Sequence, residues 1–557
     1  MEKKIYNLTS AQNSIWLTEQ YSSNTSLNNI GGYVFIQDVV NFDNLEKALK
    51  LYVKRNDALN LKVQNVDGEP CQYLSEYKDF SIDIVDLKDL NDVKSFNDNI
   101  INTPFTFLDS TLYKITMFRL PNGKGGFNAT LHHIISDAWN MSLLIDEVMN
   151  CYSALCSGKE IDLMPFPSYI DCIESENTYN QSDRFKKDEE FWKSIFKDTP
   201  ELTYISPEKR ENTSSVANRK IFDIDANLYC KISEFCKFYN CSIYTFFMAI
   251  YSIYLAKVNN SHSSIIGTPV LNRGNYKEKH TAGMFISTVP FKIDANPDVP
   301  FTSFLKDVAS TQLGIFRHQK YPYDKLLKQI KREYNISDNL YDFVLSYQNA
   351  KDDKNSCDVN YISNWLFNGH SLDTLQVHFY DMDDNGTPKL YYDYQVDKLN
   401  ETEIISLNNR IMNMAKNILE TPDMLLKNIS IVTNEEAMKL LHNFNSTPYE
   451  FDTTKSLVKI FEEQVDINPD KTAIIFEDKI LSYSELNKKI NALSNVLIEN
   501  NVGKNNVIGI MLPRSFETII SMWAVLKSGN AYMLIDPSLP KDRIEYMLEN
   551  ANSNLLI

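Results

Sequence analysis

Leu131-His132-His133-Ile134-Ile135-Ser136-Asp137-Ala138-Trp139-Asn140 joins two kinds of sequence pattern. Before it, Phe127-Asn128-Ala129-Thr130-Leu131 alternates apolar and polar residues, as a half-buried strand does. After it, Leu144, Val148, Tyr152 and Leu155 share one helical face between about Ala138 and Cys156, and Gly158 ends the run. The stretch is therefore a strand-to-helix corner. Neighbouring side chains on a strand point to opposite faces, so His133 continues the apolar face of Phe127, Ala129 and Leu131, and His132 that of Asn128 and Thr130. The two imidazoles are expected to hold different jobs. Burial on the apolar face favours the neutral form of His133, and a neutral imidazole accepts a proton or hydrogen bond from a nucleophile. Asp137, or Ser136, is placed to cap the helix that starts at Ala138.

The same alternation of patterns continues on both sides of the corner. Toward the N-terminus, helix-like runs cover 9–22 and 43–57 and strand-like runs 32–39, 59–65 and 111–119. Residues 158–180 carry prolines and read as an irregular crossing between two halves. Beyond it, helices are expected near 181–197, 226–238, 241–257, 301–318, 322–333 and 401–419. Strands are expected near 263–269, 285–293, 342–348, 375–381 and 388–395. This irregular interleaving indicates two mixed α/β lobes, not a barrel or a solenoid. The division predicted is 1–175 and 176–433 for the two lobes, a polar linker at 434–455, and a separate α/β unit at 456–557.

Composition narrows the functional classes. A chain of 557 residues is too long for one core, and aromatics are plentiful, with 31 Tyr and 30 Phe against 16 Gly. A net charge of −17 without a basic stripe argues against nucleic acid. No run of about 18 apolar residues offers a membrane span, and the N-terminus lacks the apolar core of a signal peptide. The eight cysteines include no Cys-x-x-Cys pair and read as reduced thiols of a cytoplasmic protein. The remaining histidines are dispersed, and adjacent histidines on a strand diverge, so no metal site is expected. Ser142 lies just inside the helix, but no Gly-x-Ser-x-Gly elbow surrounds it, so it is not read as a hydrolase nucleophile.

His132-His133-x-x-x-Asp137 resembles the His-His-x-x-x-Asp-Gly signature of nonribosomal peptide synthetase condensation domains. Flanking stretches carry the same resemblance in family order. They are Thr9-Ser10-Ala11-Gln12 with Ile15-Trp16, Arg55-Asn56-Asp57-Ala58-Leu59, Tyr169-Ile170-Asp171, Gly283-Met284-Phe285-Ile286-Ser287-Thr288, His318-Gln319-Lys320-Tyr321-Pro322-Tyr323-Asp324, and Leu340-Tyr341-Asp342 through Gln348-Asn349. The tail resembles the start of an adenylation domain, through Leu481-Ser482-Tyr483-Ser484-Glu485-Leu486 and Leu526-Lys527-Ser528-Gly529-Asn530-Ala531-Tyr532. The phosphate-gripping loop of that family would lie further on, so this fragment is not expected to activate an amino acid. Four positions depart from the family pattern: Ala138 replaces a glycine, Ser14 an arginine, Ser287 an asparagine, and Lys292 stands where arginine often follows. A positive φ would be disfavoured at Ala138.

The resemblance implies two chloramphenicol-acetyltransferase-like lobes forming a V-shaped pseudo-dimer around a central tunnel, followed by a truncated α/β adenylation-domain start. It implies amide formation between a donor acyl thioester and the amine of an acceptor aminoacyl thioester. Both ride on phosphopantetheine arms of donor and acceptor carrier proteins, and the fragment binds no cofactor of its own. His133 is then the residue that holds or deprotonates the amine or steadies the oxyanion, and His132 orients the turn. Asp137 becomes an ion-paired support with Lys292 or Arg55 as partner. Ala138, Trp139, Ser287 and Asn349 are the candidate substrate-binding positions, although Trp139, like Phe285 and Tyr321, reads first as a packing residue. Met1 lies a few residues before the opening helix, so the donor is expected in trans, as a fatty acyl group of a starter domain or as a peptidyl group. The alternatives are an epimerisation domain of the same fold and a non-catalytic module that recruits carriers. A heterocyclisation domain would carry an Asp-rich motif in place of His-His.

Overall fold

The computed structural model describes residues 4–22, 24–161, 166–206, 214–337, 339–348, 358–380, 387–500 and 503–557. Two compact units emerge, Met1–Lys439 and Leu440–Ile557.

The first unit is built on two large sheets, neither closed into a barrel. One has five strands in the order Tyr361–Trp365, Asn29–Ile36, Gly125–His132, Tyr113–Arg119 and Ile84–Asp86. All its pairings are antiparallel except the last. The helices Phe42–Arg55 and Ala138–Cys156 pack their apolar stripes, Leu45, Leu49 and Val53 against Leu144, Val148 and Tyr152, into a core with Phe127, Ala129 and Leu131. The helix Ala138–Cys156 has the bounds its periodicity predicts. The second sheet has six strands in the order Ser287–Asp294, Ser263–Val270, Phe343–Gln348, Leu375–Tyr380, Lys389–Gln395 and Ala217–Asp223. Its core is organised by the helix Ile243–Val258, buried from Tyr244 to Ala256, with the helices Phe301–Arg317 and Glu401–Glu420 beside it. No single described helix is long and apolar enough to cross a membrane.

Three expectations change. Residues 158–180 are not wholly irregular: Tyr169–Tyr179 is a helix, capped by the Ser168 side chain on the Ile170 N–H. Its prolines lie before the first turn, where they do not break a helix. The strand Tyr361–Trp365, which a division at residue 175 assigns to the second lobe, pairs with Asn29–Ile36 in the first sheet. Residues 434–438, expected to be linker, form a helix with a Thr433–Glu436 capping box. Arg410 pairs with Glu436 at 2.9 Å and ties that helix to Glu401–Glu420.

The second unit has a hairpin, Thr472–Phe476 with Lys479–Ser482, and a three-stranded parallel sheet of Ala531–Leu534, Val507–Ile510 and Leu555–Leu556. Leu486, Ile490, Leu497, Ile508, Ile510, Ala524 and Val525 form its core. Phe461 stacks on Trp523 at 4.7 Å.

Candidate active site at the strand-to-helix corner

The strand Gly125–His132 ends one residue earlier than alternation suggests, and it is buried on both faces. Asn128 and Thr130 are enclosed because the helix Leu90–Ile101 covers the polar face: Asn128 donates to Asn97 Oδ1 at 2.8 Å, and Thr130 donates to Asn128 Oδ1 at 2.9 Å. The more enclosed imidazole is therefore His132, at 2 % exposure. His133 opens the turn and is half-buried.

His132 is fixed on all sides. Its ring lies 4.8 Å from that of Phe107. The Ile134 N–H donates to Nδ1 at 3.2 Å, which puts the ring proton on Nε2, facing Glu19 Oε2 at 3.4 Å. Glu19, on the helix Ser10–Tyr21, also accepts from Asn28 Nδ2 at 2.7 Å. Burial would raise the Glu19 carboxyl, but the hydrogen bonds from His132 and Asn28 outweigh it and hold the group below its ordinary value. The same helix steadies the turn through Gln12, whose Nε2 donates to the Ile134 carbonyl at 3.0 Å.

His133 donates its backbone N–H to the Asn28 carbonyl at 2.7 Å. Its Nδ1 is enclosed and makes no hydrogen bond among the described residues. Nε2 is thus the accessible nitrogen. Burial lowers the pKa of the ring, against the opposing pull of the Asp137 carboxylate. The result is a neutral, positioned base.

Asp137 is fully buried and acts as a junction. Oδ1 accepts the Asn140 N–H at 2.8 Å and caps the helix Ala138–Cys156. Arg273 donates Nη2 to both carboxylate oxygens at 3.1 and 3.2 Å. The Phe285 and Ile286 N–H groups donate to Oδ2 at 3.0 and 3.3 Å. The ion-pair partner is therefore Arg273, not Lys292 or Arg55. Lys292 donates to the Ile195 carbonyl at 3.2 Å, and Arg55 lies over the Phe166 ring at 4.0 Å. Arg273 also donates to the carbonyls of Glu278, Thr281 and Gly283, so one guanidinium organises the whole loop from 273 to 286 against the corner. Sequence reasoning missed it because a buried aspartate demands a cation without saying which of 56 Lys and Arg supplies it.

Ala138 is the first residue of its helix and is not among the residues with positive φ, so alanine costs no backbone strain there. Trp139 donates Nε1 to the Lys279 carbonyl at 2.8 Å, which ties the helix start to the same loop. Gly283 is the position that needs glycine. Its φ is +141°, and a Cβ would meet the Tyr169 ring at 2.2 Å. Tyr169 in turn donates its hydroxyl to the Met284 carbonyl at 2.6 Å.

Ser287 lines a cavity between the lobes, together with Thr9, Ser10, Tyr169, Glu176, Phe285 and Lys320. Asn272, a second residue missed in the sequence, donates Nδ2 to the Phe285 carbonyl at 3.0 Å and to Ser287 Oγ at 3.2 Å. Its Oδ1 is buried and accepts no hydrogen bond among the described residues. Burial raises the Glu176 carboxyl, although the Ser10 N–H donates to it at 2.7 Å. Asn349 lies outside the described residues.

Comparison with known proteins agrees with this arrangement. The condensation-domain family matches residues 2–441, and the AMP-binding enzyme family matches residues 461–557. Surfactin synthase subunit 1 of Bacillus subtilis is 30 % identical over 100 % of this chain, and bacitracin synthase 3 of Bacillus licheniformis is 29 % identical over 100 %. The chain spans 16 % and 9 % of the length of these two relatives. Among solved structures, the first condensation domain of the calcium-dependent antibiotic synthetase matches 77 % of this chain and 99 % of its own, with a TM-score of 0.66 at 16 % identity. The starter condensation domain of rhizomide synthetase in complex with C8-CoA matches 77 % of this chain and 98 % of its own, with a TM-score of 0.66 at 18 % identity. A four-domain nonribosomal peptide synthetase bound to AMP and glycine matches 100 % of this chain and 44 % of its own, with a TM-score of 0.78 at 15 % identity. The family match covers both lobes and the whole of the histidine corner, and on it the chain belongs to the condensation-domain family of nonribosomal peptide synthetases, continuing into the start of an AMP-binding domain.

Proposed function

We propose that the first unit forms an amide bond between a donor acyl or peptidyl thioester and the amine of an acceptor aminoacyl thioester. Both substrates arrive on the phosphopantetheine arms of carrier proteins. The observation that carries this reading is the neutral His133, held with Nε2 accessible on a turn locked from three directions. A thioester is already activated, so alignment and proton handling are the chemistry left to the protein. The amine nitrogen attacks the thioester carbonyl, His133 Nε2 takes the proton that nitrogen sheds, and the C–S bond breaks. The departing thiolate then recovers a proton. His132 and Asp137 do not touch the reacting atoms in this reading: His132 sets the turn through Glu19, and Asp137 sets the loop through Arg273. The cavity beside Ser287 is the proposed approach for one pantetheine arm. The fragment needs no cofactor of its own for this step.

The test loads donor and acceptor carriers, adds the protein and follows the amide by mass spectrometry. A fatty-acyl donor, as in a lipo-initiating starter domain, is one arm and a peptidyl donor the other. General-base assistance is worth about 10²–10⁴-fold, and His133→Ala is expected to lose that much of the rate. A His133→Ala protein that condenses as fast as wild type sinks the assignment. Carriers that bind without any product favour a recruitment module.

A further inference from the structure

The helix Ala226–Phe238 ends in a turn that brings two cysteines together. Asn240 stands in the left-handed region, at a φ of +52°. The Cys241 N–H reaches back to the Cys236 carbonyl at 3.0 Å, and the Asn240 N–H to the Lys237 carbonyl at 3.3 Å. These two bonds around a left-handed residue are the Schellman ending of a helix. It sets the side chain of the third residue from the helix end against that of the second residue past the cap, a contact that is commonly hydrophobic. Here Cys236 and Cys241 fill the two places. A disulfide spans Cα separations of about 4.4–6.8 Å, and one hydrogen bond already ties the two backbones together.

The two thiols differ in access. Cys236 is 3 % exposed and belongs to the core of the second lobe, whereas Cys241 is half-buried and packs against that core from outside. The turn around Cys241 is open, with Phe238, Asn240 and Ser242 exposed. The Cys236 thiol donates to the Cys241 sulfur. That hydrogen bond outweighs burial and holds the Cys241 thiol below its ordinary value, and the same bond, together with burial, pushes the Cys236 thiol up. An accessible sulfur with thiolate character beside an enclosed thiol is the arrangement of an attacking and a resolving cysteine. The spacing is Cys-x-x-x-x-Cys, which the sequence alone does not mark as a pair.

We propose that Cys236 and Cys241 form a thiol–disulfide exchange site, which a low-molecular-weight disulfide of the glutathione class converts to an intrachain disulfide. Cys241 gives its proton to solvent and attacks one sulfur of the reagent. The reagent S–S bond breaks, and the departing thiolate takes up a proton. Cys236 then loses its proton, attacks the Cys241 sulfur of the mixed disulfide and releases the second thiolate, which is protonated in turn. Two protein thiols are oxidised, and one reagent disulfide is reduced to two thiols. The bridge closes the turn between Ala226–Phe238 and Ile243–Val258, the helix on which the core of the second lobe is organised. Cys230, exposed on the same helix, gives its thiol to Glu234 Oε1 at 3.8 Å and has no cysteine placed to resolve it, so it stops at the mixed disulfide.

The test treats the full chain with oxidised glutathione, blocks the remaining thiols with iodoacetamide and maps tryptic peptides by mass spectrometry. Trypsin cuts after Lys237, between the two cysteines, so their bridge is read as two joined peptides. The wild type is expected to give that joined pair, with glutathione retained on Cys230, and dithiothreitol is expected to separate it. Cys236→Ser is expected to stop at glutathione on Cys241. A resolving thiol in contact acts at a high effective concentration, so the wild type should carry at least about tenfold less glutathione on Cys241 than that variant. Cys241→Ser is expected to leave Cys236 unmodified in the folded protein. Reaction of Cys230 while Cys236 and Cys241 both stay reduced overturns the proposal. So does a wild-type protein that keeps as much glutathione on Cys241 as Cys236→Ser does. The wild-type map decides the matter even if a variant fails to fold.

Discussion

His133 shows how the two adjacent imidazoles are separated by their surroundings. Both are attached to the same turn, yet His132 spends both nitrogens on Ile134 and Glu19, and His133 keeps Nε2 for chemistry. Burial lowers the His133 pKa, and the sign of this shift sets a pH dependence. The neutral ring is the active base, so the acid limb of kcat/KM is expected below the ordinary histidine value of about 6.5. Stability follows the same sign. Between the lowered folded pKa and the unfolded value, the unfolded chain binds more protons, so the contribution of His133 is complete above about 6.5 and falls away as pH drops through that window. A pH–rate profile with preloaded carriers checks the first statement. An acid limb at or above the free-histidine value would show that the buried ring is not the titrating base. The desolvation of this residue was legible in the sequence, but the greater enclosure of His132 was not. Alternation placed His133 on an apolar face, whereas the strand ends at His132 and a second helix encloses the face expected to be open.

Among the helices, Ala138–Cys156 was legible end to end because a strong cap, a periodic apolar face and a terminal glycine agree. The helix Tyr169–Tyr179 was not, since its polar sequence follows a proline-bearing stretch and only two of its residues are buried. The clamp between Asp137 and the loop 273–286 was half legible: the aspartate stood in a motif, but its cation lies 136 residues away and no local pattern marks it. That clamp predicts a specific mutational pattern. Removing one member of a buried ion pair costs about 3–5 kcal/mol, because the other is left charged and enclosed. Asp137→Asn leaves Arg273 with the carbonyls of Glu278, Thr281 and Gly283, and Arg273→Met leaves Asp137 with the N–H groups of Asn140, Phe285 and Ile286. Each single change leaves one buried charge without its counter-ion and is expected to be destabilising. The double variant should lose less than the sum of the two. Denaturant melts of the three proteins decide it, and strict additivity would mean that the pair is not energetically coupled.

Besides the clamp at Asp137, the first unit is joined by an exchange of structure between its lobes. Five residues, Tyr361–Trp365, leave the second half of the chain to complete the edge of the first sheet, and the crossing segment that follows carries Phe367 and Asn368 against both lobes. Sequence patterning could not show this. A short strand of mixed polarity has no periodic signature, and its partner lies more than 300 residues earlier. The pairing leaves its mark at Gly32, which faces Trp365 in register: a Cβ there would stand 2.7 Å from the Asn364 carbonyl oxygen. Backbone, unlike a side-chain tip, cannot turn aside. Gly32→Val is therefore expected to push the strand off the sheet edge at a cost of about 1–3 kcal/mol, the usual range for overpacking. The effect should be local in hydrogen exchange. Amides of 361–365 lose protection, whereas those of the central strand Ser263–Val270 in the second sheet keep theirs. Condensation should fall with it, since the displaced strand leads directly into Asn368, which holds the Leu27 and Asn29 carbonyls on either side of the Asn28 carbonyl that takes the His133 N–H. If Gly32→Val leaves the exchange of 361–365 unchanged, the crossing strand is not held by this pairing, and the coupling of the two lobes must be sought in the loop 273–286, through Asp137–Arg273, Trp139–Lys279 and Tyr169–Met284.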